Sequence, residues 1–260
     1  MASVICKTEG VVLRTTLFSE TSCVVNWLTP DFGRIATIVK GAFRPRGGFV
    51  GQFDSFFSCE VLFYHRFGGE VHIAREITAL KTRDAFRRDW RATACASYLT
   101  DLVARASHPE APHPEAHRLL DEVLDDLAAN GSSATLVFWF ELRLLEALGL
   151  APQLTRCIKC HRELSPQDRG VKFQSSHGGL ICGACGAAVR DASPMGPDVL
   201  AALGGWQRSQ HPHGARRTQC SGRQRAEIEN LLGAFLTYHL EMALPGRRIC
   251  FDLLARKPGG

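Results

Sequence analysis

The chain has 260 residues, 45% of them hydrophobic, and its 31 basic and 26 acidic side chains give a formal charge of +5. That length allows two or three packed units, and no apolar run approaches the roughly 18 to 20 residues of a membrane-crossing helix. The mild basicity admits an anionic partner without requiring one, so where the charges fall matters more than their sum.

Residues 1–80 read as five short strands, "GVVLRTTLF", "SCVVNWLT", "GRIATIVKGAF", "SFFSCEVLFYH" and "EVHIAREITAL". All are rich in β-branched and aromatic residues, and turn signals such as Pro30-Asp31-Phe32-Gly33 and Gly68-Gly69 separate them. Five strands in so short a stretch suit a small closed barrel, because closure removes the exposed edges of an open sheet. An OB-fold is expected, with an SH3-like barrel as the alternative, since periodicity does not fix strand order. Arg34, Lys40, Arg44 and Arg46 stand in a stretch without any acid from Phe32 to Phe53, and Arg14 adds a further cation on the first strand. An OB barrel holds nucleic acid by tracking phosphates with cations and stacking bases on aromatics. These five are therefore candidate DNA contacts; Phe43 and Phe49 beside them either stack on bases or fill the barrel.

After Lys81 the period changes to that of a helix. "DAFRRDWRATACASYLTDLVARA" places Phe86, Trp90, Ala94, Tyr98, Leu102 and Val103 on one face. Arg87, Arg88 and Arg91 then lie on the other and would extend a basic track. A proline-broken link carries His108, His113 and His117, read as solvated loop histidines, and a second helix spans residues 114–129. Its acids Asp121, Glu122, Asp125 and Asp126 read as a solvated face. "ATLVFWFELRLLEALGL" is apolar around most of its circumference, as the buried centre of a bundle would be. Further on come a short helix at residues 197–203, a polar link with Arg208, Arg216, Arg217, Arg223 and Arg225, and a long helix capped by Ser221.

Between these helices stands "CIKCH", Cys157 to His161, which matches the pattern that attaches a c-type haem. Haem attachment of that kind requires export, and "MASVICKTEG" shows no apolar run behind a basic start, so a cytoplasmic location is expected. A second pair, Cys182 and Cys185, follows after twenty-one residues. Two C-x2-C turns supply the four thiolates that tetrahedral zinc prefers, and "VKFQSSHGGLI" between them reads as two short strands around a glycine turn. Cys157, Cys160, Cys182 and Cys185 are thus expected to hold one structural zinc ion, with a redox dithiol as the weaker alternative. The other six cysteines read as small buried apolar residues. No phosphate-binding loop, nucleophile elbow or His-Glu-x-x-His is present, and a closed four-thiolate zinc has no open position, so no catalytic residue is expected.

The order of parts is specific. "FSETSCVVNWLTPDFGRIATIVKGAFR", "FELRLLEALGLAPQLTRCIKC", "GGLICGAC" and "FLTYHLEMALPGRRICFDLL" follow one another in a pattern that resembles the RecO family of bacterial recombination mediators along nearly the whole chain. The resemblance implies an α+β multidomain chain: an OB-fold barrel over 1–80, a helical domain over 81–154 and 191–260, and an inserted zinc module over 155–190. It implies binding of single- and double-stranded DNA, annealing of complementary strands, and help in placing RecA on DNA covered by single-stranded-DNA-binding protein. RecR and the acidic tail of that covering protein are the implied partners, the tail on the helical domain. The alternative is a zinc-stapled protein adaptor without annealing activity of its own.

Overall fold

The computed structural model describes residues 3–45 and 47–256; Arg46, one of the expected DNA contacts, lies outside them. The chain divides into two compact units, Met1–Gly131 and Ser132–Gly260.

In the first unit β1 (Ser3–Leu17), β2 (Cys23–Thr29), β3 (Gly33–Val39), β4 (Ser58–Arg66) and β5 (His72–Lys81) close into a barrel of order β1-β2-β3-β5-β4, with β1 also pairing β4. The parallel pairing of β3 with β5, Thr37 opposite His72 and Ile38 opposite Ile73, sets the strand order of an OB-fold. Alternation along β2 as far as Trp27, and along all of β3, sends Cys23, Val25, Trp27, Ile35 and Val39 into the barrel. Arg34, Ala36 and Ile38 take the alternate positions. The Trp27 indole donates to Thr37 Oγ1 at 2.9 Å, which satisfies its one polar atom inside the core. At the β2–β3 turn Gly33 has φ +64°, and a Cβ there would fall 2.1 Å from the Ala111 carbonyl oxygen, so only glycine lets the later link approach.

Two helices complete this unit, α1 (Trp90–Ala106) and α2 (Pro114–Asn130), after a single 3-10 turn at Asp84–Arg87. The helix expected to run unbroken from Asp84 is interrupted, because Asp89 caps α1 by accepting from the N–H groups of Arg91 and Ala92. The break changes the phase. Trp90 is exposed, with the Arg91 guanidinium 5.0 Å from its ring centre, and the buried face runs through Ala92, Cys95, Leu99 and Leu102.

The acids of α2 are not the solvated face that their spacing suggests. Buried Arg83 donates to Asp125 at 2.8 Å and to Asp121, and Lys81 Nζ lies 2.7 Å from Asp125. Ser58 also donates to Asp121, so one network ties α2 to the barrel's closing strands. His117, likewise expected to be solvated, lies within α2 and is half-buried; burial lowers its basicity. Burial raises the Asp121 carboxyl, but bonds from Lys81, Ser58 and Arg83 outweigh it and hold the group at about 2, against 3.8 unperturbed. A depressed carboxylate stabilises the fold above its unfolded value and loses that contribution as pH falls towards its folded one. Asp121→Asn is expected to remove about 2 kcal/mol at neutral pH and to flatten the loss of stability between pH 4 and 2 in urea titrations. An unchanged acid limb would contradict this role.

In the second unit α3 (Ala134–Ala147) is buried along most of its length, including Phe138, Trp139 and Phe140. Glu141 on this helix is fully buried and pairs with Arg247 at 2.7 Å. Such a pair stays in a dry interior only when both charges are matched. Three short strands, β6 (Lys172–Gln174), β7 (Gly179–Ile181) and β8 (Ser193–Pro194), form a sheet of order β7-β6-β8, with the one-turn helix α4 (Gly183–Gly186) after β7. Gly178, at φ +83°, makes the turn between β6 and β7. The remaining helices are α5 (Pro197–Arg208), α6 (His213–Arg217), α7 (Gly222–His239) and α8 (Pro245–Ala255). Ser221 caps α7 in a capping box with Gln224. The polar link expected after α5 contains α6, and its last two arginines make contacts that hold it to neighbouring helices. Arg223 pairs with Asp198 and Glu227, and Arg225 donates to the Phe251 and Leu254 carbonyls. Among the described residues no helix is long and apolar enough to cross a membrane.

Candidate metal centre and nucleic-acid interface

Cys157, Cys160, Cys182 and Cys185 converge: their four sulfurs lie within 4.8 Å of one another. Each pair sits on a tight turn. His161 N donates back to the Cys157 carbonyl at 2.9 Å with His161 at φ +59°, and Cys182 caps α4 by accepting from Cys185 N–H. The Cys182 N–H also points at Cys157 Sγ, 3.5 Å away, and the Cys160 and Cys182 sulfurs are 3.8 Å apart. Burial raises the Cys157 thiol, but hydrogen bonds from the backbone of Cys160, Cys182 and Lys159 draw it down to about 6. Cys185 is pushed up to about 12, first by hydrogen bonds shared with Cys182 and Cys160 and then by burial. Four sulfurs so close repel one another as thiolates, and a cation among them removes the repulsion. The donor set could hold one metal ion, and its all-sulfur character suits a soft, tetrahedral one. His161, the last residue of the haem-like pattern, is exposed and outside the set.

The module is anchored in its unit. Phe173 of β6 meets Phe235 of α7 with ring centres 5.8 Å apart, and His239 Nε2 lies 2.8 Å from the Ser175 carbonyl oxygen. Of the other cysteines, Cys23, Cys59, Cys95 and Cys250 are buried, as small apolar residues would be, while Cys6 and Cys220 are half-buried. A second convergent set, His65, His72 and Glu110, has a different character. His72 Nδ1 accepts the Arg66 N–H at 3.2 Å, so the proton of the neutral ring sits on Nε2 and faces Glu110 at 3.5 Å. That nitrogen is a donor and offers no lone pair to a metal.

On the barrel, the β1–β2 loop and the segment after β3 form a cleft of about 410 Å³ containing Phe18, Ile38, Lys40 and Arg44. Two hydrogen bonds join its walls, Phe43 N to the Thr21 carbonyl at 3.2 Å and Gly41 N to Ser22 Oγ at 3.3 Å. Gly41, at φ +70°, lets the Arg44 chain lie across it, since a Cβ would stand 3.2 Å from Arg44 Cδ. Phe18 is 63% exposed and Phe43 48%, whereas Phe49 packs against the barrel core. The two aromatics considered from sequence therefore divide: Phe43 is available for stacking and Phe49 fills space. Phe18 escaped the sequence reading because it stands alone, just past a strand end and twenty-two residues from Lys40.

Arg14 and Arg34 line a neighbouring cleft on the same outer face. Cross-strand register joins the two, with Arg14 opposite Asn26 and Asn26 opposite Ala36, then Thr16 opposite Val24 and Val24 opposite Ile38. Arg87, Arg88 and Arg91 are dispersed over the 3-10 turn, the break and the start of α1. Arg87 pairs loosely with Asp54 at 3.4 Å, and Arg88 is exposed.

A five-stranded OB barrel with an aromatic and cationic outer cleft, followed in sequence by helices that carry a four-cysteine cluster, defines a class of OB-fold protein with an appended four-cysteine module. Comparison with known proteins gives its family. The family model "Recombination protein O N terminal" matches residues 1–83 and "Recombination protein O C terminal" matches residues 87–248. The chain is 30% identical over 253 residues to the DNA repair protein RecO of Syntrophus aciditrophicus (strain SB), covering 95% of each. It is 31% identical over 248 residues to that of Anaeromyxobacter sp. (strain K), covering 95% of this chain and 96% of the relative. The RecO of Myxococcus xanthus (strain DK1622) is 28% identical over 242 residues, with 93% of each covered. The chain belongs to the recombination protein O family.

Proposed function

We propose that this chain is a cytoplasmic DNA repair and recombination mediator that binds single- and double-stranded DNA through residues 1–80 and speeds annealing of complementary strands. With RecR it helps place RecA on DNA covered by single-stranded-DNA-binding protein, whose acidic tail meets the helical part of the chain. The observation that carries this reading is the cleft in which Lys40 and Arg44 stand beside exposed Phe18, with exposed Phe43 in the same loop. Cations there neutralise phosphates of two approaching strands, an aromatic face accepts bases of any identity, and base pairing itself drives the annealing. No nucleotide hydrolysis enters this scheme, and no residue acts as a catalyst. Zinc at Cys157, Cys160, Cys182 and Cys185 is structural, because four thiolates leave no position for substrate.

An electrophoretic assay of purified protein with a mixed-sequence single strand tests the reading. Binding with little sequence preference, weakened steeply by salt, is the expected result. Protein that bound partners but no DNA would be the adaptor instead.

A further inference from the structure

A second cleft, of about 570 Å³, opens between α1 and the outer face of β1–β3. Its walls carry Arg14 from β1, Asn26 from β2, Arg34 from β3, and Asp101 and Arg105 from α1. Three cations thus face one carboxylate. Arg34 donates its Nε to the Ser107 carbonyl at 3.3 Å, and its two terminal nitrogens have no partner among the described residues. Arg14 is exposed and has no ion-pair partner among them. Arg105 meets Asp101 across one helical turn at 2.8 Å, with both side chains about half exposed. An exposed pair of this kind holds weakly, so its arginine can turn to a stronger anion.

We propose that this cleft is a backbone-phosphate subsite for the nucleic-acid strand, with Arg105 of α1 as a contact outside the barrel and Asp101 as its built-in competitor. The proposal rests on the reading of the barrel as a DNA-binding surface and deepens it. Four points support a phosphodiester. The arginine forks present planar donors that match phosphate oxygens. The cleft lies on the same three-stranded face as the Lys40 and Arg44 cleft, joined by the Asn26 and Val24 rows. Arg34 and Lys40 are six residues apart on that face, which spans about 20 Å of strand, so one extended chain reaches both clefts. The strand positions between them, Asn26, Ala36, Val24 and Ile38, are themselves uncharged, with Glu70 and Glu110 bordering them on one side.

The two clefts differ in how they would act. The one beside Phe18 joins cations to an aromatic face and suits a base with its phosphate. The one beneath α1 contains no aromatic side chain beyond the buried Phe56 and suits phosphate alone. Asp101, sharing Arg105, opposes the strand at short range, within the roughly 10 Å over which charges are felt at 0.1 M salt.

The test measures affinity for a fluorescent mixed-sequence single strand across a salt series, in full-length protein. Arg105→Ala is expected to weaken binding about three- to tenfold at 0.1 M salt and to reduce the slope of log affinity against log salt by about 0.7, one phosphate on a single strand. Asp101→Asn is expected to tighten binding, and Arg105→Lys to keep the slope. A merely structural turn pair would leave affinity and slope unchanged in both directions, even where melting temperature moved. Unchanged slopes in Arg105→Ala and Asp101→Asn, in protein whose Lys40 and Arg44 variant has lost slope, would overturn the subsite and leave the barrel reading standing. Parent protein that failed to bind the strand at all would overturn the barrel reading itself.

Discussion

Cys157→Ala is expected to abolish most of the soluble yield of the full chain and to leave whatever survives with well under half an equivalent of zinc. Cys157 is fully buried, and its sulfur, one of the four, faces the Cys182 N–H at 3.5 Å. Metal binding by small four-ligand modules contributes on the order of 10 kcal/mol to folding. The net stability of a domain is only about 5 to 15 kcal/mol, so loss of one buried ligand removes a decisive share. The effect should extend beyond the module, because Phe173 rests on Phe235 and Ser175 is held by His239 of α7. Metal analysis of parent protein purified without added metal should give about one zinc per chain. Cys220→Ala, at a half-buried cysteine outside the cluster, is the control and should keep both zinc and yield. Cys157→Ala protein with parental yield, melting temperature and metal content would show that the four sulfurs hold no structural ion.

The second large effect concerns the barrel. Replacing both Lys40 and Arg44 with alanine should flatten the salt dependence of single-strand binding by about 1.4 units, at about 0.7 per phosphate neutralised. The loss is then greatest at low salt and shrinks as salt rises, which separates lost phosphate contacts from a damaged fold. Damage is not expected, since both side chains are exposed and neither carries an ion pair among the described residues. Base preference should stay as it is, because phosphate contacts carry no sequence information. Phe18→Ala, by contrast, should weaken binding by roughly 1 to 3 kcal/mol per stacked base with the slope retained. The cleft thus holds two separable kinds of contact.

How much of this was legible in the sequence depends on whether the signal was local. The strands were, because β-branched residues alternate and turns intervene. The choice between an OB and an SH3-like order was not, because it rests on Thr37 and Ile38 of β3 meeting His72 and Ile73 of β5 across more than thirty residues, which no period records. The cysteine cluster was fully legible, since each pair carries its own spacing. Asp121 and Asp125 misled because their spacing describes an exposed helix face well, while the buried Arg83 that claims them lies about forty residues earlier. The start of α1 is obscured for a local reason: the hydrophobic period runs on through Phe86 and Trp90, whereas the cap at Asp89 starts the helix afresh. Pro245 at the first turn of α8 was a readable start signal of the same kind.

Cations on the barrel are expected to lower the repulsion between two strands without any energy source, and one measurement tests this most directly. The rate of annealing of two complementary fluorescent single strands is followed in the absence of nucleotide, for the parent and for the Lys40→Ala, Arg44→Ala double variant. The expected result is a parental rate well above the spontaneous one, falling with salt, and a variant rate reduced towards spontaneous while its melting temperature is unchanged. A double variant that annealed as fast as the parent at low salt would contradict the assignment of the barrel cleft as the surface that brings DNA strands together.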